Sequence, residues 1–281
     1  VGAPFFNATF IPLITPAMLA AVIGAKLTWK RSDLGSVLLR LKFAFLSTIL
    51  VIIASAWIAG SLDDILAAFG FGISAWLIIG SITELAEKIS LFRGPFSNTL
   101  KRAIGLPRSF WGMAIAHSAL GIMVAGITAS SAWKIEKIQM MGPGDTISIA
   151  GYNVNFEGTR QISGPNYKAE RGTFKVFKLG RHIATLSPEK REYPVERGQT
   201  TEASIKTMFT GDLYIVLGER SSASGKFSTN WSTRIYFNPL VVWIWGGAIL
   251  MAFGGLISLT DRRYRIGAPT AARPFKDAPE G

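Results

Sequence analysis

The sequence predicts a polytopic α-helical membrane protein with a small antiparallel β domain inserted on the outer side of the membrane. Only 17% of its 281 residues are charged, whereas about a quarter are charged in an ordinary soluble domain. Five long stretches lack Lys, Arg, Asp and Glu, as membrane helices require. Residues 134–237 instead alternate between apolar and polar side chains, which is typical of strands in an antiparallel sheet.

The residue inventory excludes several kinds of chemistry. The chain has no Cys, so it forms no disulfide and supplies no thiolate for zinc, iron–sulfur clusters or redox exchange. Its two His leave no room for a His-rich metal site. Because the chain starts at Val1 rather than at Met, we expect either a processed product or the C-terminal part of a longer protein.

The five apolar stretches predict transmembrane helices, because a hydrocarbon core about 30 Å thick needs roughly 20 apolar residues to cross it. They are residues 9–25, 43–62, 65–83, 109–133 and 238–260. The first is short by this measure, but the uncharged residues before it can lengthen it. Trp243 and Trp245, near the outer end of the last stretch, match the aromatic belt found at membrane surfaces.

Basic residues in the short loops predict the orientation, since cytoplasmic loops carry an excess of Lys and Arg. The first and third loops and the tail at 261–281 are basic, whereas the second loop holds only Asp63 and Asp64. We therefore expect both basic loops and the tail in the cytoplasm, and residues 134–237 outside. These loops account for most of the net charge of +12, so the basic composition does not indicate nucleic-acid binding.

The external segment predicts a small β-sandwich or barrel. Apolar residues alternate on both sides of Gly151, which interrupts the pattern, and a hairpin is predicted around Gly180 within residues 174–186. Further strands are expected at 213–217 and 234–237. Residues 200–208 are the one stretch of the segment that suits a short helix, and 221–225 is expected to form a flexible hairpin tip.

His117 is the main candidate for function, because ionisable side chains inside membrane helices are rare and by default suggest a functional site. If the fourth helix enters from the cytoplasm at Ser109, His117 lies about 12 Å into the membrane. A neutral imidazole there can bind a metal or haem iron, hydrogen-bond to a neighbouring helix, or relay a proton. Small residues around it would let a flat macrocycle or another helix approach: Gly112, Ala114, Ala116, Ser118, Ala119 and Gly121.

Ligation of iron by two imidazoles would require a second His from outside this chain. His182 is unsuitable because it falls near a predicted turn of the external domain, where we interpret it as an exposed turn residue. Met113 and Met123 are interpreted as packing residues.

Eight stretches, in the same order along the chain, carry a resemblance to a known family. They are residues 5–13, 109–117, 187–191, 201–203, 211–214, 236–247, 251–255 and 261–265. Together they resemble the C-terminal part of the CcmF-type cytochrome c haem lyase subunit. The matches extend over nearly the whole chain, and the second of them ends at His117.

The resemblance implies a multi-pass protein of the bacterial inner membrane with its β domain in the periplasm, acting in cytochrome c maturation. Such a lyase receives haem from the chaperone CcmE and attaches it covalently to the CXXCH site of apocytochrome c, which CcmH and CcmI present. The family also holds a b-type haem in the membrane between two helix histidines. His117 matches the second of them and is expected to be an axial ligand of haem b, while the first would come from the upstream half of the lyase.

The chain departs from the whole family in lacking the Trp-rich haem-docking motif, so we expect that it does not catalyse haem attachment alone. Glu189, Lys190 and Arg191 are expected either to contact partners or haem propionates or to form an intradomain salt bridge. The first competing interpretation is a non-catalytic scaffold that docks the other maturation subunits while His117 only packs. A transporter is disfavoured because only His117 is ionisable within the predicted helices.

Overall fold

The computed structural model describes residues 2–27, 34–59, 65–195, 198–221 and 230–261. Within these ranges, six helices precede a run of ten strands and a seventh helix follows it. The helices are α1 (Ala3–Lys26), α2 (Leu34–Arg40), α3 (Lys42–Ala59), α4 (Ile65–Lys88), α5 (Phe96–Gly105), α6 (Arg108–Ala132) and α7 (Val242–Leu259).

Four of these helices are long and apolar enough to cross a membrane. Their apolar parts are Ala8–Lys26, Ile65–Lys88, Arg108–Ala132 and Val242–Leu259. The apolar part of α3, Lys42–Ile58, is shorter, and the last residues of the crossing expected at 43–62 lie outside the described ranges. The length and composition of these helices are those of a membrane protein.

Two helix boundaries differ from the sequence-based expectation for physical reasons. Helix α4 continues to Lys88 rather than ending at residue 83, because a glutamate in its last turn is paired with two basic side chains. Helix α7 begins at Val242 rather than at 238, because the preceding strand stays paired with its neighbour as far as Pro239.

Helices α2 and α5 lie in segments that the sequence predicts only as loops. On α5, Thr99 is buried, whereas Phe96, Leu100 and Ile104 are all exposed. These three apolar residues recur every fourth position, so they share one face of the helix. In the sequence, the many basic residues of this segment indicate a cytoplasmic loop, whereas its apolar periodicity indicates the helix.

The strands form two antiparallel sheets. They are β1 (Ile135–Met141), β2 (Thr146–Ile149), β3 (Tyr152–Ser163), β4 (Lys168–Lys178), β5 (Arg181–Leu186), β6 (Glu189–Tyr193), β7 (Gly198–Glu202), β8 (Ser204–Met208), β9 (Gly211–Arg220) and β10 (Trp231–Pro239). One sheet has the order β1-β10-β9-β8, and the other has the order β2-β3-β4-β6-β7 with β5 also paired to β4.

A single apolar core fills the β domain. Leu213, Ile215 and Leu217 alternate along β9 and are fully buried, as the strand pattern predicts. The rings of Phe156 and Phe174, from paired strands of the other sheet, stack with their centroids 4.7 Å apart. The antiparallel β domain expected from the alternation is therefore confirmed.

The hairpin predicted around Gly180 is confirmed, Gly151 lies in a second hairpin, and each turns through two residues with positive φ. Ala150 and Gly151 join β2 to β3 with φ of 49° and 77°. Leu179 and Gly180 join β4 to β5 with φ of 50° and 76°. Two successive positive φ angles make a type I′ turn, whose twist matches that of the flanking strands, and Gly adopts such angles without strain.

The short helix expected at residues 200–208 is wrong. This stretch contains most of β7 and all of β8, which pair with β6 and β9 respectively. Pairing with two different neighbours overrides the local preference for a helix. The hairpin tip expected at 221–225 lies outside the described residues except for Ser221.

The chain divides into two compact units. One comprises residues 1–45, 76–120 and 248–281, and the other comprises residues 46–75 and 121–247, including the β domain.

Within the first unit, α6 and α7 cross at glycine residues, which lets their backbones touch. A Cβ built on Gly254 would lie 2.6 Å from the Gly112 carbonyl oxygen and 2.9 Å from the Ala116 amide nitrogen, so the backbones are in direct contact.

We predict that Gly254→Ala lowers the free energy of unfolding by about 1–3 kcal/mol, because its methyl group overpacks the crossing of α6 and α7. The measurement is denaturation of the detergent-solubilised chain followed by circular dichroism. The matched control is Gly255→Ala, since a Cβ on Gly255 meets nothing within 4 Å. Equal stabilities of the two variants would contradict close packing at Gly254.

Candidate functional site

His117 lies inside α6, nine residues after the helix begins at Arg108. At 1.5 Å per residue it is about 14 Å from that end of the helix. The side chain is half-buried, and the neighbouring Ala114 and Ala119 are buried. The structure therefore places the imidazole well within a helix that can span a membrane.

The close crossing with α7 occupies a different side of α6 from the imidazole. Gly112 and Ala116 form the crossing with Gly254. His117 follows Ala116 by one residue, which rotates its side chain by about 100° around the helix. Among the described residues, none forms a hydrogen bond or ion pair with its ring nitrogens. The imidazole is thus available to a ligand that this part of the chain does not supply.

The beginning of α6 is fixed by contacts with other elements. The Ser109 amide donates to Asp261 Oδ2 at 3.0 Å, so a carboxylate just after α7 satisfies one of the free N–H groups in the first turn of α6. The Trp111 indole Nε1 donates to the Ala103 carbonyl of α5 at 3.2 Å. These contacts limit the movement of the turns that precede His117.

The donor set around His117 suits an iron that receives its other ligands elsewhere. Within the described ranges, no group of three or more His, Asp or Glu side chains could hold a metal ion. A lone imidazole cannot build a zinc site, which needs at least three protein ligands. It can supply one axial ligand to a haem, whose porphyrin provides the four equatorial nitrogens.

His182 lies in β5 on the surface of the β domain, one residue past the turn containing Gly180. Its Nε2 is 3.0 Å from Thr185 Oγ1, and its ring packs edge-on against Phe177 with a centroid distance of 5.5 Å. The expectation of an exposed histidine beside a turn is confirmed, and the structure does not bring His182 together with His117 in one unit.

The Glu189-Lys190-Arg191 motif forms salt bridges inside the β domain. The buried Glu189 accepts from Arg171 Nε at 2.6 Å and from Arg191 Nε at 2.8 Å. Lys190 is paired with Glu219. The structure therefore supports the intradomain salt bridge, since each member of the motif already has a partner of opposite charge.

The two arginines also determine how Glu189 titrates. Burial acts to raise the pKa of this carboxyl, but hydrogen bonds from Arg191 and Arg171 outweigh it, so the pKa of Glu189 is lowered. A lowered folded-state pKa stabilises the protein above the ordinary glutamate pKa of about 4.3, and this contribution is lost as the pH falls through the folded-state value.

The sequence reasoning missed a charge cluster where α1, α2 and α4 meet. The side chain of Lys26 is only 1% exposed, and its Nζ lies 2.9 Å from Glu87 Oε2. The two groups form an ion pair, although their geometry is not that of a hydrogen bond. Arg40 Nη2 lies 2.5 Å from the same oxygen. In the sequence, Lys26 belongs to the basic first loop and shows no sign of burial. The glutamate four residues beyond the predicted end of the third helix was the signal that a partner was needed.

We predict that Glu189→Gln lowers the free energy of unfolding at pH 7 by about 2 kcal/mol, because it removes the charge that both arginines contact. The difference from the unsubstituted chain should shrink below pH 4, where protonation weakens the native pairing. The measurement is urea unfolding of the solubilised chain, followed by near-ultraviolet circular dichroism at several pH values.

The control is Glu157→Gln, because the pair between Glu157 and Lys175 is exposed and an exposed pair contributes at most about 1 kcal/mol. A Glu189→Gln variant that matches this control at every pH would show that the buried pairs do not stabilise the domain.

Comparison with known proteins identifies relatives along the whole chain. Residues 132–239 match the family model described as the CcmF C-terminal beta-sandwich. The cytochrome c-type biogenesis protein CycK of Bradyrhizobium diazoefficiens is 42% identical over 97% of this chain and 40% of its own length. Escherichia coli CcmF is 32% identical over 100% of this chain and 40% of its own length.

A solved structure titled cytochrome c heme lyase CcmF has the same fold, with a TM-score of 0.69 and 22% identity over 92% of this chain and 41% of the solved one. The chain spans about 40% of the length of the curated relatives it matches. The sandwich model, the CcmF and CycK relatives and the shared fold agree in one assignment. The chain belongs to the CcmF family of cytochrome c-type biogenesis proteins.

Proposed function

We propose that this chain is the part of a cytochrome c haem lyase subunit that supplies one axial ligand, His117, to a b-type haem in the membrane. The observation that carries the proposal is a half-buried imidazole, inside a helix able to span a membrane, that no described residue engages. An ionisable side chain at such a depth is rare unless it has a functional partner. Because the chain is related to CcmF proteins, we infer that this partner is a haem.

Neutral imidazole is a suitable ligand at this position. It donates a nitrogen lone pair to iron without bringing a charge into a medium of low polarity. A bound haem would supply electron transfer to or from its iron, while this chain orients one ring nitrogen toward that iron. The second axial histidine would come from an upstream segment outside this chain, because His182 lies on the β domain.

The charge distribution supports an orientation for the chain. The segments before α3 and between α4 and α6 are rich in Lys and Arg, as cytoplasmic segments are. We place them, and residues 261–281, in the cytoplasm of a bacterium. The β domain then lies in the periplasm and the helices in the inner membrane.

Within the whole lyase, this chain would act with several partners. The upstream half would complete the membrane haem site and carry the haem-docking tryptophans that are missing here. The haem chaperone CcmE would deliver haem, and CcmH and CcmI would present apocytochrome c for covalent attachment of haem at CXXCH. This chain alone would not catalyse that attachment, because its eight Trp form no Trp-rich motif.

A second candidate function is a non-catalytic scaffold that docks the other maturation subunits. The outward face of the β1-β10-β9-β8 sheet favours it, because Ile138 and Met140 on edge strand β1 and Ile205 on the opposite edge strand β8 are about half exposed there. Exposed apolar side chains on a sheet face are typical of a protein-binding surface. Under this alternative, His117 would only fill space between helices.

We predict that this chain, purified together with its upstream half, shows the sharp reduced-minus-oxidised band of a b-type haem. His117→Ala should remove the band, since the iron loses an axial ligand. His182→Ala is the matched control and should leave the band unchanged, because its ring contacts only its own domain.

An unchanged band in His117→Ala would refute the ligand assignment. If instead neither protein retained haem and the unsubstituted protein bound CcmH or CcmE, the scaffold would be the better account. Loss of the band in both alanine variants would indicate a general folding defect, which the circular dichroism spectra of the two would reveal.

A further inference from the structure

Helix α5 combines an exposed apolar face with a strongly basic surrounding. Phe96 and Ile104 are each 77% exposed and Leu100 is 49% exposed. Their spacing of four residues keeps them within about 80° of one another around the helix. Phe92, in the turn before α5, is 94% exposed. An exposed apolar stripe like that of α5 is unfavourable in water and indicates a surface that meets another phase or partner.

The remaining sides of α5 have distinct surroundings. Thr99 is buried and the Ala103 carbonyl accepts from Trp111 Nε1, so this side packs against the protein. Asn98, Lys101 and Arg102 are exposed on the polar side. The helix therefore presents a protein-facing side, an apolar side and a basic side, which is the arrangement of an amphipathic helix lying in a membrane surface.

The charge of the segment is one-sided. Residues 88–108 contain five basic side chains and no Asp or Glu. Lys101 and Arg102 belong to α5, and Arg108 is the first residue of α6. Lys and Arg beside an apolar stripe can extend toward lipid phosphates while their aliphatic parts remain in the apolar layer. A surface of this charge complements anionic lipid headgroups.

The connection to α6 sets the depth of α5. Only Leu106 and Pro107 separate Gly105 from Arg108, the first residue of α6. The 25 residues of α6 extend over about 38 Å, which is longer than a hydrocarbon core of about 30 Å. Its charged first residue can therefore lie among the headgroups, and the hydrogen bond between Trp111 and Ala103 holds α5 at the same level.

We propose that α5 lies in the membrane surface, with Phe96, Leu100 and Ile104 inserted at the boundary between headgroups and acyl chains and with its basic side chains on anionic phosphates. The occupant of the apolar face is lipid, because the helix is tied to the end of a membrane-spanning helix and carries only positive charge. This inference requires α6 to cross the membrane but does not depend on haem binding, so the two proposals fail separately.

The absence of Cys in the sequence permits a direct test. Phe96→Cys and Ile104→Cys variants of the full chain are labelled with an environment-sensitive fluorophore and placed in phosphatidylcholine–phosphatidylglycerol nanodiscs. Lipids with a nitroxide near the headgroup should quench both labels at least about twofold more than the label of Asn98→Cys, the matched control on the polar side of the same helix.

Equal quenching at the three positions would overturn the proposal. Blue-shifted emission at positions 96 and 104 without lipid quenching would also overturn it, because protein rather than lipid would then cover the face. The charge contribution is tested at position 104, where quenching should be weaker in discs of phosphatidylcholine alone. Lys101→Gln should reduce this difference, and quenching independent of phosphatidylglycerol would refute the role of anionic lipid.

Discussion

The pairing of β1 with β10 is the constraint on which the rest of the architecture depends. Strand β1 follows α6 after two residues, and β10 leads into α7, so the antiparallel register that sets Ile135 opposite Phe237 also aligns the helices attached to them. Beyond the sheet, α6 and α7 approach each other closely at Gly126, where an added Cβ would lie 2.9 Å from the Ile244 amide nitrogen. Within the second unit, the pairing of edge strand β1 with β10 therefore continues into a contact between the adjoining ends of α6 and α7.

Within the first unit, the contacts of α6 leave one of its sides open at His117. Where Gly112 and Gly254 allow backbone contact, α7 closes one side of α6, and the bond from Ser109 to Asp261 fixes the beginning of the helix. The imidazole is left on another side, where it is half-buried and unengaged by the described residues. A fixed helix that presents one unused nitrogen ligand is what a haem shared with an upstream segment would need.

The sequence was informative where structure depends on local signals. The turn at Gly180, the interruption at Gly151 and the alternation along β9 were predicted correctly, because turn chemistry and periodicity are properties of neighbouring residues. It was uninformative where structure depends on partners distant in the chain. Nothing local shows that Lys26 will be buried beside Glu87, or that Glu189 will be paired with Arg171 from another strand. The strands in 200–208 were missed for the same reason, since their composition does not show that they pair with β6 and β9.

His117 was identified as a candidate from its setting in an apolar helix, but the sequence does not reveal that its ring lacks a partner in the described chain.

The central claim is that His117 supplies an axial ligand, and a redox titration of the membrane haem in His117→Met would test it most directly. The protein would be purified with its upstream half, beside the unsubstituted form and His182→Met. If His117 binds the iron, exchange of imidazole for thioether should raise the midpoint potential while haem is retained, because Met ligation favours the ferrous state. His182→Met should leave the potential unchanged. A potential in His117→Met equal to that of the unsubstituted protein would contradict the account.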